Sequence, residues 1–301
     1  GDDPASLHDV QPPFIIWGRD DELVQLENIF SRVVNSSGAD DTSDKYEGGD
    51  DDLDHTIHAW VSGPEGVGKK ALVEAFLEEL PEGVLVCRGS FVEHVHASAH
   101  FSGIVSCFEA LFALLEDEDG DDGKSSWTDE LRRATKRDLS LLVSVLPSAS
   151  NLIHPTDENK TPQQYQFEQS NVYIFQRLKD ALVNVVKAIS RHKTIVFFLD
   201  AVQWATTDSL DLLEAILVSG TSNFFVVGCH REVPDSHLLS LLKSKVTRDP
   251  SNEIILAKIN MEASTSILRD HLCKLDPESS DFISEEFLNE CLQTWFEDEP
   301  D

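Results

Sequence analysis

Gly63-Pro64-Glu65-Gly66-Val67-Gly68-Lys69 stands between a β-like run, Ile57–Val61, and an amphipathic stretch that reads as a helix from Lys69 to Leu80. A strand, a glycine-rich turn and a helix in that order form the setting of a phosphate-binding loop. The residue types follow from what a polyanion needs. Gly63, Gly66 and Gly68 take positive φ without steric cost, so the backbone can curl closely around phosphate oxygens. Pro64, Glu65 and Val67 complete the loop. Its N–H groups, with those of Lys69, Lys70 and Ala71, converge at a helix N-terminus whose dipole favours an anion. Lys69 reaches the β- and γ-phosphates as a point charge.

The next position departs from the usual pattern. Ser or Thr ordinarily follows the lysine and gives its hydroxyl to magnesium. Here the residue is Lys70, which has no lone pair for a metal and repels one. Two readings stay open: an ammonium standing in for part of the metal charge, or a side chain turned to solvent.

Outward from the loop, the chain alternates apolar strands with helical patterns. Strands are expected at Val84–Cys87, Thr194–Leu199, Phe224–Gly228 and Glu253–Leu256. Helices are expected from Leu23, where Leu26, Ile29, Phe30 and Val33 recur at helical spacing and Asp20 or Asp21 serves as cap. Further helices are expected over His100–Leu115, Thr128–Leu146, Gln163–Ser190 and Asp208–Val218. Thr194–Leu199 is almost wholly β-branched and aromatic, as suits a central strand buried on both faces. The pattern predicts an α/β fold with a parallel five-stranded sheet flanked by helices. Residues 1–13 read as a flexible tether and 14–258 as the nucleotide-binding domain. Residues 36–54 and 116–126 read as solvated acidic loops within it, without the ligand spacing of a calcium loop.

Twenty-four basic residues against 55 acidic ones give a net charge of −31. Such a surface repels nucleic-acid phosphates and anionic membranes, so no nucleic-acid partner is expected. Any phosphate must be captured locally by aimed N–H groups. The five cysteines are scattered and none sits at a zinc-type spacing, which favours reduced thiols in a cytoplasmic protein. No apolar run is long enough for a membrane span. With no signal-like segment at Gly1 and an abrupt stop after Trp295-Phe296-Glu297-Asp298-Glu299-Pro300-Asp301, the sequence reads as a piece of something longer.

Thr-Ile-Val-Phe-Phe-Leu ends in Asp200. An apolar strand followed by Asp is how phosphate-loop proteins set a carboxylate beside the metal, at the carboxyl edge of the sheet. Asp200 is therefore the candidate metal ligand and catalytic carboxylate. The next position ordinarily carries a second carboxylate that orients the attacking water. Ala201 can neither accept a proton nor hold a water, and losing such a group costs about 10²–10⁴ in rate.

Three segments together resemble one family. Ile16-Trp17-Gly18-Arg19-Asp20-Asp21-Glu22-Leu23 is similar to the Gly-Arg-x-x-Glu-Leu opening of AAA/STAND-type ATPase modules, the origin-recognition-like AAA domains of multidomain signalling proteins. Leu199-Asp200-Ala201-Val202-Gln203-Trp204-Ala205 resembles that family's Leu-Asp-Asp-Leu-Gln-Trp-Ala-Asp segment. Val227-Gly228-Cys229-His230-Arg231-Glu232-Val233, followed by His237-Leu238, resembles its strand with a sensor arginine. The resemblance implies a P-loop NTPase fold followed by a small helical lid, here beginning at 259–301. It implies ATP held by Gly63–Lys69, Gly18 and Arg19 near the base, Asp200 at the metal, and catalytic Arg231 sensing the γ-phosphate. Partners implied are other domains of the same chain or other proteins. Lys70, Ala201 and Thr206 stand where the family has Ser/Thr, Asp and Asp. The first two weigh against magnesium and against turnover. ATP binding with slow or lost hydrolysis is the leading expectation, and a pseudo-ATPase interaction scaffold the alternative. A small-molecule phosphotransferase fits the Gln-Trp-Ala segment less well.

Other residues carry weaker signals. His94, His96 and His100 lack the partners of a metal site and read as a polar loop. Trp204 suits either stacking on a base or packing at the sheet edge. Glu232 is placed to pair with Arg231, and Asp208 and Asp211 to start and decorate a helix.

Overall fold

A computed structural model describes residues 18–36, 56–93, 101–118, 126–152, 172–235, 237–247, 249–258, 264–265 and 268–269. The expected tether 1–13, most of both acidic loops, the three clustered histidines, residues 163–171 and nearly all of the expected lid lie outside the described residues. So do Cys273, Cys291 and the segment Phe14–Trp17.

The chain runs α1 (Asp20–Ser36), β1 (Ile57–Ser62), α2 (Lys69–Glu78), β2 (Leu85–Ser90), α3 (Ser102–Glu118), α4 (Ser126–Thr135), α5 (Leu139–Val145), α6 (Ala149–Leu152) and α7 (Val172–Ser190). It continues as β3 (Ile195–Asp200), α8 (Thr207–Val218), β4 (Phe224–His230), α9 (Leu238–Val246) and β5 (Glu253–Ile255). The five strands are all parallel and lie in the order β2-β3-β4-β1-β5. β1 is thus an interior strand with β4 on one side and the edge strand β5 on the other, and β3 and β4 lie between it and β2.

Strand alternation divides the core in two. Ala59 and Val61, Val196 and Phe198, and Phe225, Val227 and Cys229 pack with Leu26, Phe30, Leu72 and Phe76 of α1 and α2. Their neighbours Trp60, Ile195, Phe197, Leu199, Phe224 and Val226 pack instead with α3 to α9. Because successive side chains point to opposite faces, a strand covered on both sides is apolar at nearly every position. That is why β3 and β4 are buried from end to end, apart from Asp200.

Three expectations need correction. The helix expected over Thr128–Leu146 is two helices, α4 and α5. Thr135 returns its hydroxyl to Leu131 O at 2.7 Å, a bond that competes with the helical ladder, and Asp138 turns to pair with Arg177 of α7. β2 runs to Ser90 rather than stopping at Cys87, because an edge strand needs an apolar residue only at every second position, and Arg88 faces out to a two-pronged pairing with Glu74 of α2. Asp20 and Asp21 lie inside the first turn of α1 rather than capping it, where their charges still complement the helix dipole. Arg19 O accepts the Leu23 N–H that opens the helix.

Candidate nucleotide-binding site

The site gathers at the carboxyl edge of the sheet. Ser62 ends β1 opposite His230 of β4, and Asp200 ends β3 beside Ser90 of β2. Between β1 and α2 the loop has the backbone a phosphate cradle needs. Gly63, Gly66 and Gly68 have φ of 149°, 76° and 93°. At Gly63 a Cβ would stand 2.4 Å from Leu256 O, so the loop lies directly against the end of β5. Gly68 is the residue before the first turn of α2 and carries no side-chain cap. The helix therefore opens with N–H groups free of a side-chain acceptor, which suits an anion.

Lys69 folds back over the loop and donates from Nζ to Gly63 O at 2.8 Å and Pro64 O at 2.5 Å. Burial pushes its pKa down and the Arg231 charge adds to that, while the Asp200 and Glu65 carboxylates hold it up. Cys229 faces the same space as a neutral thiol, its pKa raised first by burial and then by Asp200. Lys70, in contrast, is exposed to solvent.

Arg19 ties the start of α1 to the loop. Its guanidinium donates to Glu22 Oε1 at 2.9 Å, to Val67 O at 3.4 Å, and to Ala257 O just beyond β5. The side chain is buried, yet its Nε finds no acceptor among the described residues. An orphaned buried N–H of this kind costs about 1–3 kcal/mol unless a partner supplies an acceptor. Gly18 beside it is exposed, with φ of 66°.

Arg231, at the end of β4, is held at several points. Its N–H donates to Gln203 Oε1 at 3.1 Å, and its carbonyl accepts from His230 Nδ1 at 2.6 Å. Its guanidinium lies 5.9 Å from the centre of the Trp204 ring and pairs with Glu65 of the loop at 2.7 Å. Trp204 also packs against the core. Arg231 thus reaches to Glu65 across the chain rather than to its neighbour Glu232, which follows from adjacent residues on extended backbone pointing apart.

The turn that supplies Gln203 and Trp204 starts from Ala201, whose φ and ψ of 56° and 41° are left-handed. For a non-glycine residue that conformation costs about 1–2 kcal/mol. The Ala201 N–H donates to Asp200 Oδ1 at 2.8 Å, and Ala201 O accepts from Trp204 N, which closes the turn. Thr206 then caps α8 by accepting from Ser209 N at 3.2 Å, with Asp208 in the first turn, and His237 caps α9 through Nδ1. The hydroxyl at 206 therefore fills a capping place that a carboxylate fills equally well.

Sequence reasoning marked Gly63–Lys69, Asp200 and Arg231, and the fold gathers them at one edge. It missed the grip of Gln203 and His230 on Arg231 and the Glu65 ion pair. The Gln-Trp dipeptide was the only signal for the first of these. As a magnesium site the residues fit poorly. Asp200 offers a carboxylate, but Lys70 brings no oxygen and Ala201 none either. Among the described residues no group of three or more His, Cys, Asp or Glu could hold a metal ion.

Behind Arg231, on the Trp60 side of the sheet, lies a cleft of about 600 Å³ lined by His230, Lys243, Thr247 and Glu253 among others. His230 is buried. Its Nδ1–H is committed to Arg231 O, so its Nε2 accepts from Lys243 Nζ at 3.1 Å, and Lys243 in turn pairs with Glu253 at 3.1 Å. Burial, and next the Lys243 charge, push the His230 pKa down to about 4 from 6.5. The unfolded chain takes up this proton first, so stability is full above pH 6.5 and is lost as pH falls towards about 4. Unfolding titrations of wild type and His230→Gln are expected to diverge across that window by on the order of 3 kcal/mol. Parallel pH curves for the two proteins would contradict the assignment.

The AAA ATPase domain model matches residues 56–227. Among solved structures, the chain is similar to the ORC1 protein of Aeropyrum pernix in complex with DNA, at 14% identity and a TM-score of 0.44, over 89% of this chain and 52% of that one. It is also similar to Cdc6p from Pyrobaculum aerophilum, at 11% identity and a TM-score of 0.42, over 95% of this chain and 56% of that one. For C. elegans PCH-2 the identity is 11% and the TM-score 0.40, over 87% and 49%. The chain thus spans about half the length of these proteins. No curated protein matches it. With more than half its length matched by the family model, and a phosphate loop and strand-end aspartate within that match, the chain belongs to the AAA ATPase domain family.

Proposed function

We propose that this chain is an ATP-binding regulatory module of a larger signalling protein, of the STAND type, that holds nucleotide and hydrolyses it slowly or not at all. The observation that carries the reading is a contrast within one site. The three glycines, Lys69 and Arg231 offer a cradle and two cations to a triphosphate, whereas Lys70 is exposed and Ala201 supplies no carboxylate. The unpartnered Nε of Arg19 suits an acceptor on the base at the other end of the loop. Gly63, Gly66 and Gly68 would hold the phosphates through backbone N–H groups, Lys69 would neutralise them, and Arg231 would register the terminal one. Occupancy would then be passed to a helical lid in 259–301 and to neighbouring domains or protein partners, as γ-phosphate contacts do in two-state switches. The net charge of −31 argues against a nucleic-acid partner.

Calorimetric titration with ATP tests this, with magnesium and with the metal chelated. Binding is expected in both conditions, with a loss on chelation of less than about tenfold, the equivalent of 1.4 kcal/mol. Magnesium-dependent phosphate release that Asp200→Asn abolishes would refute slow or lost hydrolysis. A pseudo-ATPase scaffold is the second reading. What favours it is that both cations already have protein acceptors, Lys69 in its own loop and Arg231 in Glu65. Absence of ATP binding in either condition would favour the scaffold.

A further inference from the structure

We propose that Glu65 is a resident competitor for the terminal phosphate, forming with Arg231 a latch across the mouth of the loop that sets how well the site tells ATP from ADP. This rests on the nucleotide-binding reading and deepens it. The pair joins the tip of the loop to the far end of β4 at 2.7 Å. Nothing local brings the two together. Arg231 is aimed there by its backbone bonds to Gln203 and His230 and by the Trp204 ring beneath its guanidinium.

A carboxylate is a good mimic of a phosphate for a guanidinium, since both accept its planar fork of N–H donors. Glu65 therefore occupies the donor set that a terminal phosphate would use. It also acts a second way. Glu65 is near enough to Lys69 to hold that ammonium's pKa up, so its charge is felt inside the cradle. A phosphate arriving there meets a like charge at short range as well as an engaged partner. ADP, which lacks the terminal phosphate, has no call on Arg231 and leaves the latch shut. ATP must open it, and opening it swings the loop tip free of β4.

Both side chains are partly exposed, 43% for Arg231 and 73% for Glu65, so the latch is weak by design of its setting. Exposed ion pairs contribute well under a tenfold factor, about two- to fivefold. A latch of that strength tunes an affinity without blocking the site.

The experiment is a double-mutant cycle in ATP and ADP affinity on the whole chain: wild type, Glu65→Gln, Arg231→Gln and the double variant. Glu65 is exposed and its amide is nearly isosteric, so folding is unaffected, and unchanged thermal midpoints verify this. Glu65→Gln is expected to tighten ATP about two- to fivefold and ADP by less, with the gain absent in the Arg231→Gln background. Equal or weaker ATP binding by Glu65→Gln overturns the latch alone. So does the same gain with Arg231 removed, since that would be repulsion without competition. No ATP binding by any of the four proteins overturns the nucleotide reading, and the latch with it.

Discussion

Lys69→Ala is expected to weaken ATP binding by about 30- to 3,000-fold. Truncating one partner of a close, largely desolvated charge pair costs about 2–5 kcal/mol, and each 1.4 kcal/mol is tenfold. Lys69 is suited to so large an effect because its ammonium is already partly withdrawn from water, with burial depressing its pKa. A group that has given up hydration gains more from a phosphate than an exposed one does. The protein itself should remain folded. Among the described residues Lys69 donates to Gly63 O and Pro64 O, both in a loop whose shape is fixed by glycine backbone and by contact with Leu256 O. Calorimetry against ATP measures the loss, and circular dichroism establishes that the fold persists. Unchanged affinity would remove Lys69, and the loop with it, from nucleotide binding.

The largest effect on stability is expected at Phe225→Ala, a loss of about 3–5 kcal/mol. Phe225 is fully buried on β4, with its ring edge-on to Phe30 of α1 at 5.6 Å and to Phe76 of α2 at 6.1 Å. Phe30 and Phe76 also meet each other at 5.7 Å, so the three rings close a triangle between sheet and helices. Removing one ring leaves a cavity and breaks two aromatic contacts together. The same triangle seats α2, which begins at Lys69, and α1, which begins beside Arg19. Loss of packing there should therefore reduce ATP affinity as well as stability. Urea unfolding with an unchanged slope and a lower midpoint would register the first effect. A midpoint shift equivalent to less than 1 kcal/mol would show that the two helices are held elsewhere.

The phosphate loop was legible because its signal is local: glycines at fixed offsets between a strand and a helix. The burial of β3 and β4 was legible for a different reason, since a strand covered on both faces is apolar at nearly every position, as Ile195–Leu199 and Phe224–Val227 are. The extension of β2 through Arg88-Gly89-Ser90 was not, because an edge strand hides its signal in alternate positions. The break between α4 and α5 depended on Asp138 meeting Arg177, which no window of sequence contains. The same holds for the site. Lys70 could be named as a departure, but only the fold shows it facing solvent. Glu232 was the obvious partner of Arg231 by proximity in sequence, yet strand geometry sends the guanidinium to Glu65. Gln203 and Trp204 marked a family likeness before their work, holding Arg231 in place, could be seen.

The place of β1 between two later strands has a consequence for how the protein comes into being. Its two neighbours, β4 and β5, are the last strands of the sheet to be synthesised. Ile57 must wait for Phe225, and Trp60 for Glu253, while most of the intervening chain leaves the ribosome. Contacts so distant in sequence make for slow folding, because loop-closure entropy is lost before any pairing offsets it. During that interval β1 is an apolar strand with both edges open, and the phosphate loop attached to it has no Leu256 to rest against. A chain stopped before β5 would hold every glycine of the loop and lack the wall that shapes it.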